Sequence, residues 1–246
     1  MIPDLASFAR RSSEAEIIDD MTIDASVMSG VLADLTVINR YLGGYRTSLD
    51  ALARVLPRDA RTARVLDVGA GGGDMARRLV AWGASRGIRV GVVAVDLSAA
   101  AARYAHERVG DRPGISVVQG SALALPFAPE AFDAVHCALF LHHFDDAAIA
   151  DLVRAMVDAS RYGVVVNDLH RHPLAYAGIW TLTRLLGATR IVQNDAPLSV
   201  RRAFTRDDLE RLARATGLPF EVTWRWAFRY QLVIRRRPPG SRRDDV

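Results

Sequence analysis

From residue 63 onward, short apolar runs rich in β-branched residues alternate with segments of helical periodicity. The runs Ala63–Val68, Arg89–Leu97, Ile115–Gln119, Phe132–Leu139 and Tyr162–Leu169 show no polar/apolar alternation. A strand with one solvated face carries that alternation. A strand without it is buried on both faces, as in a parallel sheet covered by helices. Between these runs, Asp74–Ser85, Ser98–Val109 and Asp146–Ser160 read as helices, the last with Asp146 as its expected cap and Ile149, Leu152, Val153, Met156 and Val157 inward. Strand and helix in strict succession predict a doubly wound, Rossmann-like α/β sheet.

The two ends of the chain depart from this rhythm. Residues 14–42 read as helical, with Met28, Val31, Leu32, Leu35, Ile38 and Leu42 on one stripe and Gly43-Gly44 as the stop, so residues 1–45 are expected to form a helical N-terminal lid. Pro173–Gly187 is an apolar helix, and Thr205–Thr216 is another, opened by a capping box from Thr205 to Asp208 and closed by Gly217. Phe220–Ala227 and Arg229–Arg235 are too close in sequence for a crossover and must pair antiparallel. The expected fold is one domain over residues 1–246. Its core, at 63–235, is a seven-stranded sheet, parallel with a C-terminal antiparallel hairpin. A disordered tail follows at 236–246.

Composition mainly excludes. All 32 basic residues are arginine, so a phosphate-loop lysine, a Schiff-base lysine and a Ser-Tyr-Lys dehydrogenase site are ruled out. The net charge of +4 owes much to Arg235, Arg236, Arg237, Arg242 and Arg243, which sit beside Pro238, Pro239 and Gly240 and read as a solvated end rather than a nucleic-acid surface. The one cysteine, Cys137, permits no internal disulfide and suits a cytoplasmic protein. No apolar run reaches the length of a membrane span, and the N-terminus lacks the pattern of a secretory signal.

The first strand runs into Val65-Leu66-Asp67-Val68-Gly69-Ala70-Gly71-Gly72-Gly73-Asp74. Glycines there allow the chain to turn sharply and a ligand to approach the main chain. The dinucleotide fingerprint needs glycine where Asp74 stands, and a carboxylate at that helix start would repel a pyrophosphate. Asp96 ends the second strand, one strand–helix unit later, where a carboxylate can accept hydrogen bonds from ribose hydroxyls.

VLDVGAGGGD, VVAVDLS, VVQGSALALPF and FDAVHCALFLHHFDD resemble, in order and spacing, the sequence blocks of class I S-adenosylmethionine (SAM) dependent methyltransferases. The resemblance implies SAM as cofactor. Gly69, Ala70, Gly71 and Gly73 would then line its methionine part and Asp67 would organise the amino-acid end. Asp96 would hold the ribose, while Leu97, Ser121, Ala122 and Leu139 would lie by the adenosine. Ser121 stands where relatives often carry Asp, so adenine recognition would lean on backbone and on Leu97 and Leu123. Arg46, or Tyr41, would meet the cofactor's carboxylate. INRYLGGYR, VVVNDLHRHPLAY and NDAPLSVRRAF are similar to methyltransferases that accompany bacterial type III polyketide synthases and modify phenolic or quinone rings. A small aromatic or polyketide-derived acceptor is implied, with no nucleic-acid partner and a homodimer as the assembly to test.

Methyl transfer to a hydroxyl needs a base, because a phenol is largely protonated at neutral pH. The ends of the fourth and fifth strands carry His142-His143 and Asn167-Asp168-Leu169-His170. His142 is the expected base and Asp168 its orienter, with His143 and His170 in reserve. Transfer to a hydroxyl is the leading expectation. Transfer to carbon on a quinone precursor, or non-catalytic SAM binding, are the alternatives. His142, His143, Asp146 and Asp168 match no recognised ligand spacing, so no metal is expected.

Overall fold

The computed structural model describes residues 5–236, and the tail expected at the C-terminus lies almost wholly outside them. Arg235 and Arg236 are not part of a loose end. Arg235 pairs with Glu221 at 3.0 Å, and Arg236 donates to the carbonyls of Asp158 and Ser160.

Helix α1 (Ala25–Tyr41) begins where Asp24 accepts from the Ser26 amide. The helix expected from residue 14 therefore starts later. The preceding residues form a strap with a short 3-10 turn at Ile17–Asp19, and the amides of Ile17 and Ile18 donate to the Asp195 carboxylate at 3.0 and 2.8 Å. Gly43, at φ +69°, marks the expected stop after α1 and turns the chain directly into α2 (Gly44–Val55), a helix the sequence did not announce.

The alternating region follows expectation to within a residue or two: β1 (Thr62–Val68), α3 (Asp74–Ala84), β2 (Arg89–Asp96), α4 (Ala99–Val109), β3 (Ile115–Gln119), β4 (Phe132–Ala138), α5 (Asp146–Ala159) and β5 (Ser160–Leu169). Asp145, not Asp146, caps α5 by accepting from the Ala148 amide. Three helices follow, α6 (Pro173–Leu185), α7 (Arg190–Arg202) and α8 (Arg206–Thr216), then β6 (Phe220–Arg225) and β7 (Arg229–Arg235). The Thr205–Asp208 capping box is present at the start of α8. Helix α7 escaped the reading because Pro197 lies inside it, and proline ordinarily marks a helix boundary.

The seven strands lie in the order β3-β2-β1-β4-β5-β7-β6, with β7 antiparallel to both neighbours and the remaining pairs parallel. Successive residues of one strand enter opposite cores. Leu66, Val164 and Leu232 pack with α5 residues such as Ile149 and Met156, while Val65, Val165 and Val233 pack with Leu52 of α2 and Leu79 of α3. That two-sided burial is why the strands lack alternation. The carboxyl ends of β1, β2, β4 and β5 are left to face α1, α6, α7 and the strap, which roof a cavity of about 600 Å³. Among the described residues, no helix is long and apolar enough to cross a membrane.

Candidate active site

One pole of the cavity is the glycine turn. Gly69 (φ +67°) and Gly71 (φ +51°) sit in the left-handed region, and the amides of Gly69 and Ala70 donate to the Val95 carbonyl. A Cβ on Gly69 would meet the Phe140 ring at 2.3 Å, so glycine is required there by both conformation and contact. Gly73 was expected to line the cofactor. It faces α4 instead, where a Cβ would lie 3.2 Å from that of Ala105, so its role is helix packing.

Asp96 accepts from the Gly71 amide at 2.8 Å and from the Ser98 amide at 3.0 Å. Burial raises its carboxyl above the usual range, and those two amides oppose the rise. Leu97, Ser121, Ala122 and Leu139 all border the cavity, as do Asp67 and Ala70. Leu139 takes φ +51°, a sparsely populated conformation for a branched residue, at the point where β4 leaves the sheet.

Register places Asp67 of β1 opposite His136 of β4. Asp67 Oδ1 lies 2.7 Å from His136 Nδ1, and His136 Nε2 lies 2.8 Å from Ser48 Oγ. Asp67 Oδ2 is buried and has no hydrogen-bond partner. The sequence reading did not single out His136, because an isolated histidine inside an apolar strand carries no local signal.

Arg46 is 88% exposed, pairs weakly with Asp50 and does not border the cavity. It was expected to meet a carboxylate, but it sits on the outer side of α2. The cavity's arginine, among the described lining residues, is Arg229. It is 1% exposed, and its contacts are two amide oxygens, Asn39 Oδ1 at 2.9 Å and Asn167 Oδ1 at 3.4 Å. Its Nε has no partner. Burial lowers this guanidinium to about 10 despite the nearby Asp168 and Tyr45. Nothing in the sequence distinguished it from the many other arginines.

The opposite pole holds the expected base. His142 Nδ1 lies 2.6 Å from Asp168 Oδ1, and both side chains are almost fully buried. Burial alone would raise the Asp168 carboxyl, but the adjacent imidazole outweighs it and holds the group below the usual range. In the neutral ring, a hydrogen bond to an ionised Asp168 places the proton on Nδ1 and leaves Nε2 as the acceptor. That nitrogen faces Glu16 Oε1 of the strap at 3.5 Å. Glu16, another residue missed from sequence, is pushed up to about 7 by burial, against the pull of His143, Ser199 and Arg202. His143 stacks on His142 with ring centroids 4.4 Å apart and meets Asp19 at 2.7 Å. His170 does not join them: it packs against Tyr230 and Phe228, outside the cavity. Asp146 is likewise apart, paired with Arg11 at 2.6 Å.

Between the poles the walls are apolar. Val31 and Leu35 come from α1, Leu42 from just past its end, and Leu174, Ile179 and Leu182 from α6. Tyr176 and Trp180 of α6 do not border the cavity: Tyr176 packs on Phe8 and Trp180 lies under Arg184.

Residues 65–163 match the family model described as "Methyltransferase domain". The chain is 35% identical over 174 residues to a demethylmenaquinone methyltransferase of Roseiflexus sp. (strain RS-1), covering 66% of this chain and 70% of that one. It is 31% identical over 212 residues to the enzyme of the same description from Roseiflexus castenholzii, covering 77% and 86%. The chain belongs to the class I SAM-dependent methyltransferases. Solved structures agree on the fold: a SAM-dependent methyltransferase from Aquifex aeolicus superposes with TM-score 0.61 at 14% identity, over 88% of this chain and 100% of that one. Human N-acetylserotonin methyltransferase in complex with SAM gives 0.62 at 17%, over 87% and 57%.

The methyltransferase uses SAM, and the residues at the glycine pole fit it. A zwitterionic methionine end needs an anion and a cation. Asp67 offers a buried oxygen without a partner, and Arg229 a buried guanidinium without a carboxylate. A ribose diol needs paired acceptors, and Asp96 keeps lone pairs on both oxygens beyond its two amide bonds.

Proposed function

We propose that the methyltransferase carries the methyl group of SAM to a hydroxylated aromatic ring of the quinol type, with His142 removing the proton of a ring hydroxyl. The observation that carries this reading is the buried His142–Asp168 pair at 2.6 Å, on the same cavity as the glycine turn. Asp67 and Arg229 would hold the amino and carboxylate groups of the methionine end. Asp96 would hold the ribose, and Leu97, Ser121 and Ala122 the adenine. Bound SAM supplies an electrophilic methyl group on a sulfonium, so the protein has only to align and deprotonate the acceptor.

Loss of the hydroxyl proton to His142 Nε2 leaves a phenolate, whose charge is shared between the oxygen and the ring carbons beside it. The imidazolium is stabilised by Asp168, which keeps its own charge. Attack by carbon forms the C–C bond and breaks the S–CH3 bond. The ring then loses its displaced hydrogen as a proton and recovers aromaticity. We favour carbon, because the relatives at 31 and 35% identity are named for demethylmenaquinone, a substrate one ring methyl short of menaquinone.

A second reading is transfer to the phenolate oxygen, on a quinol or a polyketide-derived phenol. The buried dyad favours it, since ether formation depends wholly on removing that proton. The experiment is a turnover of quinols and phenols with SAM labelled as CD3, followed by NMR of the product. A methyl on ring carbon supports the first reading and an aryl methyl ether the second. SAM bound with no labelled product from either class would remove both.

A further inference from the structure

We propose that Glu16, His142 and His143 form a binding site for a divalent transition-metal ion of the zinc class at the acceptor pole. One donor atom from each lies within 4.8 Å of the others. His142 Nε2 and Glu16 Oε1 are 3.5 Å apart. Two donors about 2.0–2.1 Å from one tetrahedral ion lie roughly 3.3 Å from each other, so this pair already has the spacing an ion needs.

Three observations point to a cation. Glu16 Oε1 is buried and accepts no hydrogen bond, although Oε2 accepts from Ser199 at 2.8 Å. His142 gives its other nitrogen to Asp168 at 2.6 Å, the outer-shell arrangement that orients a metal-ligating imidazole and raises its basicity. The third is charge. Glu16, Asp19 and Asp168 bring three carboxylates to the two imidazoles, against the single guanidinium of Arg202, 3.6 Å from Glu16 and 3.8 Å from Asp19. The carboxylates there outnumber that guanidinium, a balance that favours a cation.

The donors are also held in place. Arg202 donates to the carbonyls of His142 and His143 at 3.1 and 2.7 Å, and Asp195 clamps the strap at Ile17 and Ile18. Asp19, 2.7 Å from His143, is at hand as a fourth donor. Two imidazoles with carboxylate select zinc-like ions over magnesium, which prefers oxygen alone. The spacing of His142, His143, Asp146 and Asp168 carries no ligand pattern because the carboxylate arrives from residue 16.

The site does not depend on which acceptor atom is methylated. It does use the nitrogen assigned as base, so an ion bound there would take up the Nε2 lone pair and block proton removal.

Metal-stripped full-length protein would be titrated by calorimetry with ZnCl2 and, separately, MgCl2. X-ray absorption at the zinc edge would read the donors in the wild-type complex, which keeps the test independent of any variant's folding. One equivalent of zinc should bind, with two imidazoles and carboxylate oxygen as donors, and magnesium should give no saturable heat. Glu16→Gln should weaken zinc at least about tenfold, the lower end of what loss of even an outer-shell partner costs. Absence of saturable zinc binding, a donor set lacking imidazole, or equal affinity in Glu16→Gln would overturn the site. Turnover separates the two readings: inhibition by zinc that a chelator reverses fits both, whereas a rate raised by zinc on this donor set would keep the site and overturn His142 as base.

Discussion

Arg229 offers the sharpest test of how SAM is held. Its guanidinium is buried with only two neutral amide oxygens as hydrogen-bond acceptors. Burial lowers it from the ordinary arginine range to about 10, on the order of 3 kcal/mol of unfavourable charge burial. A carboxylate arriving at that guanidinium recovers part of this cost and gains a charge-assisted hydrogen bond worth about 1.5–3 kcal/mol. Replacing Arg229 by Met should therefore weaken SAM by roughly 10- to 100-fold. The assay is calorimetric titration with SAM and with methylthioadenosine, which keeps the nucleoside and sulfur but lacks the amino-acid end. Only SAM should lose affinity, and Arg229→Lys should restore part of it as a point charge without the planar fork. Equal losses for both ligands would mean that the cavity has merely been deformed. Unchanged SAM affinity with a raised acceptor KM would assign Arg229 to the acceptor and refute the argument.

His142→Ala should lower kcat by about 10²–10⁴, the usual worth of a positioned general base. The loss should shrink as pH approaches the acceptor's own pKa, which a kcat–pH profile of wild type and variant would show. Gly69→Ala places a side chain at φ +67° and 2.3 Å from the Phe140 ring, so thermal unfolding should report a loss of at least about 1–2 kcal/mol, together with weaker SAM binding. Burial pushes Glu16 up to about 7 in the folded chain, against an ordinary glutamate value of 4.5. Its raised value means that its stability contribution is fully present below about 4.5 and is lost as pH rises through about 7. Metal-free Glu16→Gln should accordingly gain on wild type by up to about 3 kcal/mol between about pH 4.5 and pH 8; parallel Tm–pH curves for the two proteins would rule this out.

What the sequence announced and what it hid divide along a physical line. The glycine pole of the cavity depends on glycine conformations, a strand-terminal carboxylate and buried strands, all of them local features with a fixed period or spacing. Asp96, Gly69 and Gly71 were therefore legible, as was the sheet. The His142–Asp168 pair was legible at one remove, since in a parallel sheet the ends of neighbouring strands meet whatever lies between them in the chain. Glu16, Arg229 and His136 were not. Each acts through a partner far away in sequence, and each looks locally like a surface glutamate, one arginine among many and an apolar-strand histidine. Arg46 departs from expectation for the complementary reason: it lies near the glycine pair in sequence, but helical phase turns it outward on α2.

The strap has a consequence for how the enzyme comes to exist in the cell. The donor half of the cavity is assembled largely from residues 67–139, so it can close over short loops. The acceptor half requires residues 11–19 to find residues 195–202, contacts such as Ile17 to Asp195 that span most of the chain. Closing so long a loop is slow, although its thermodynamic cost grows only weakly with length. During synthesis the chain can thus form the glycine turn well before the acceptor wall, and Arg229 joins the cavity only when β7 is made.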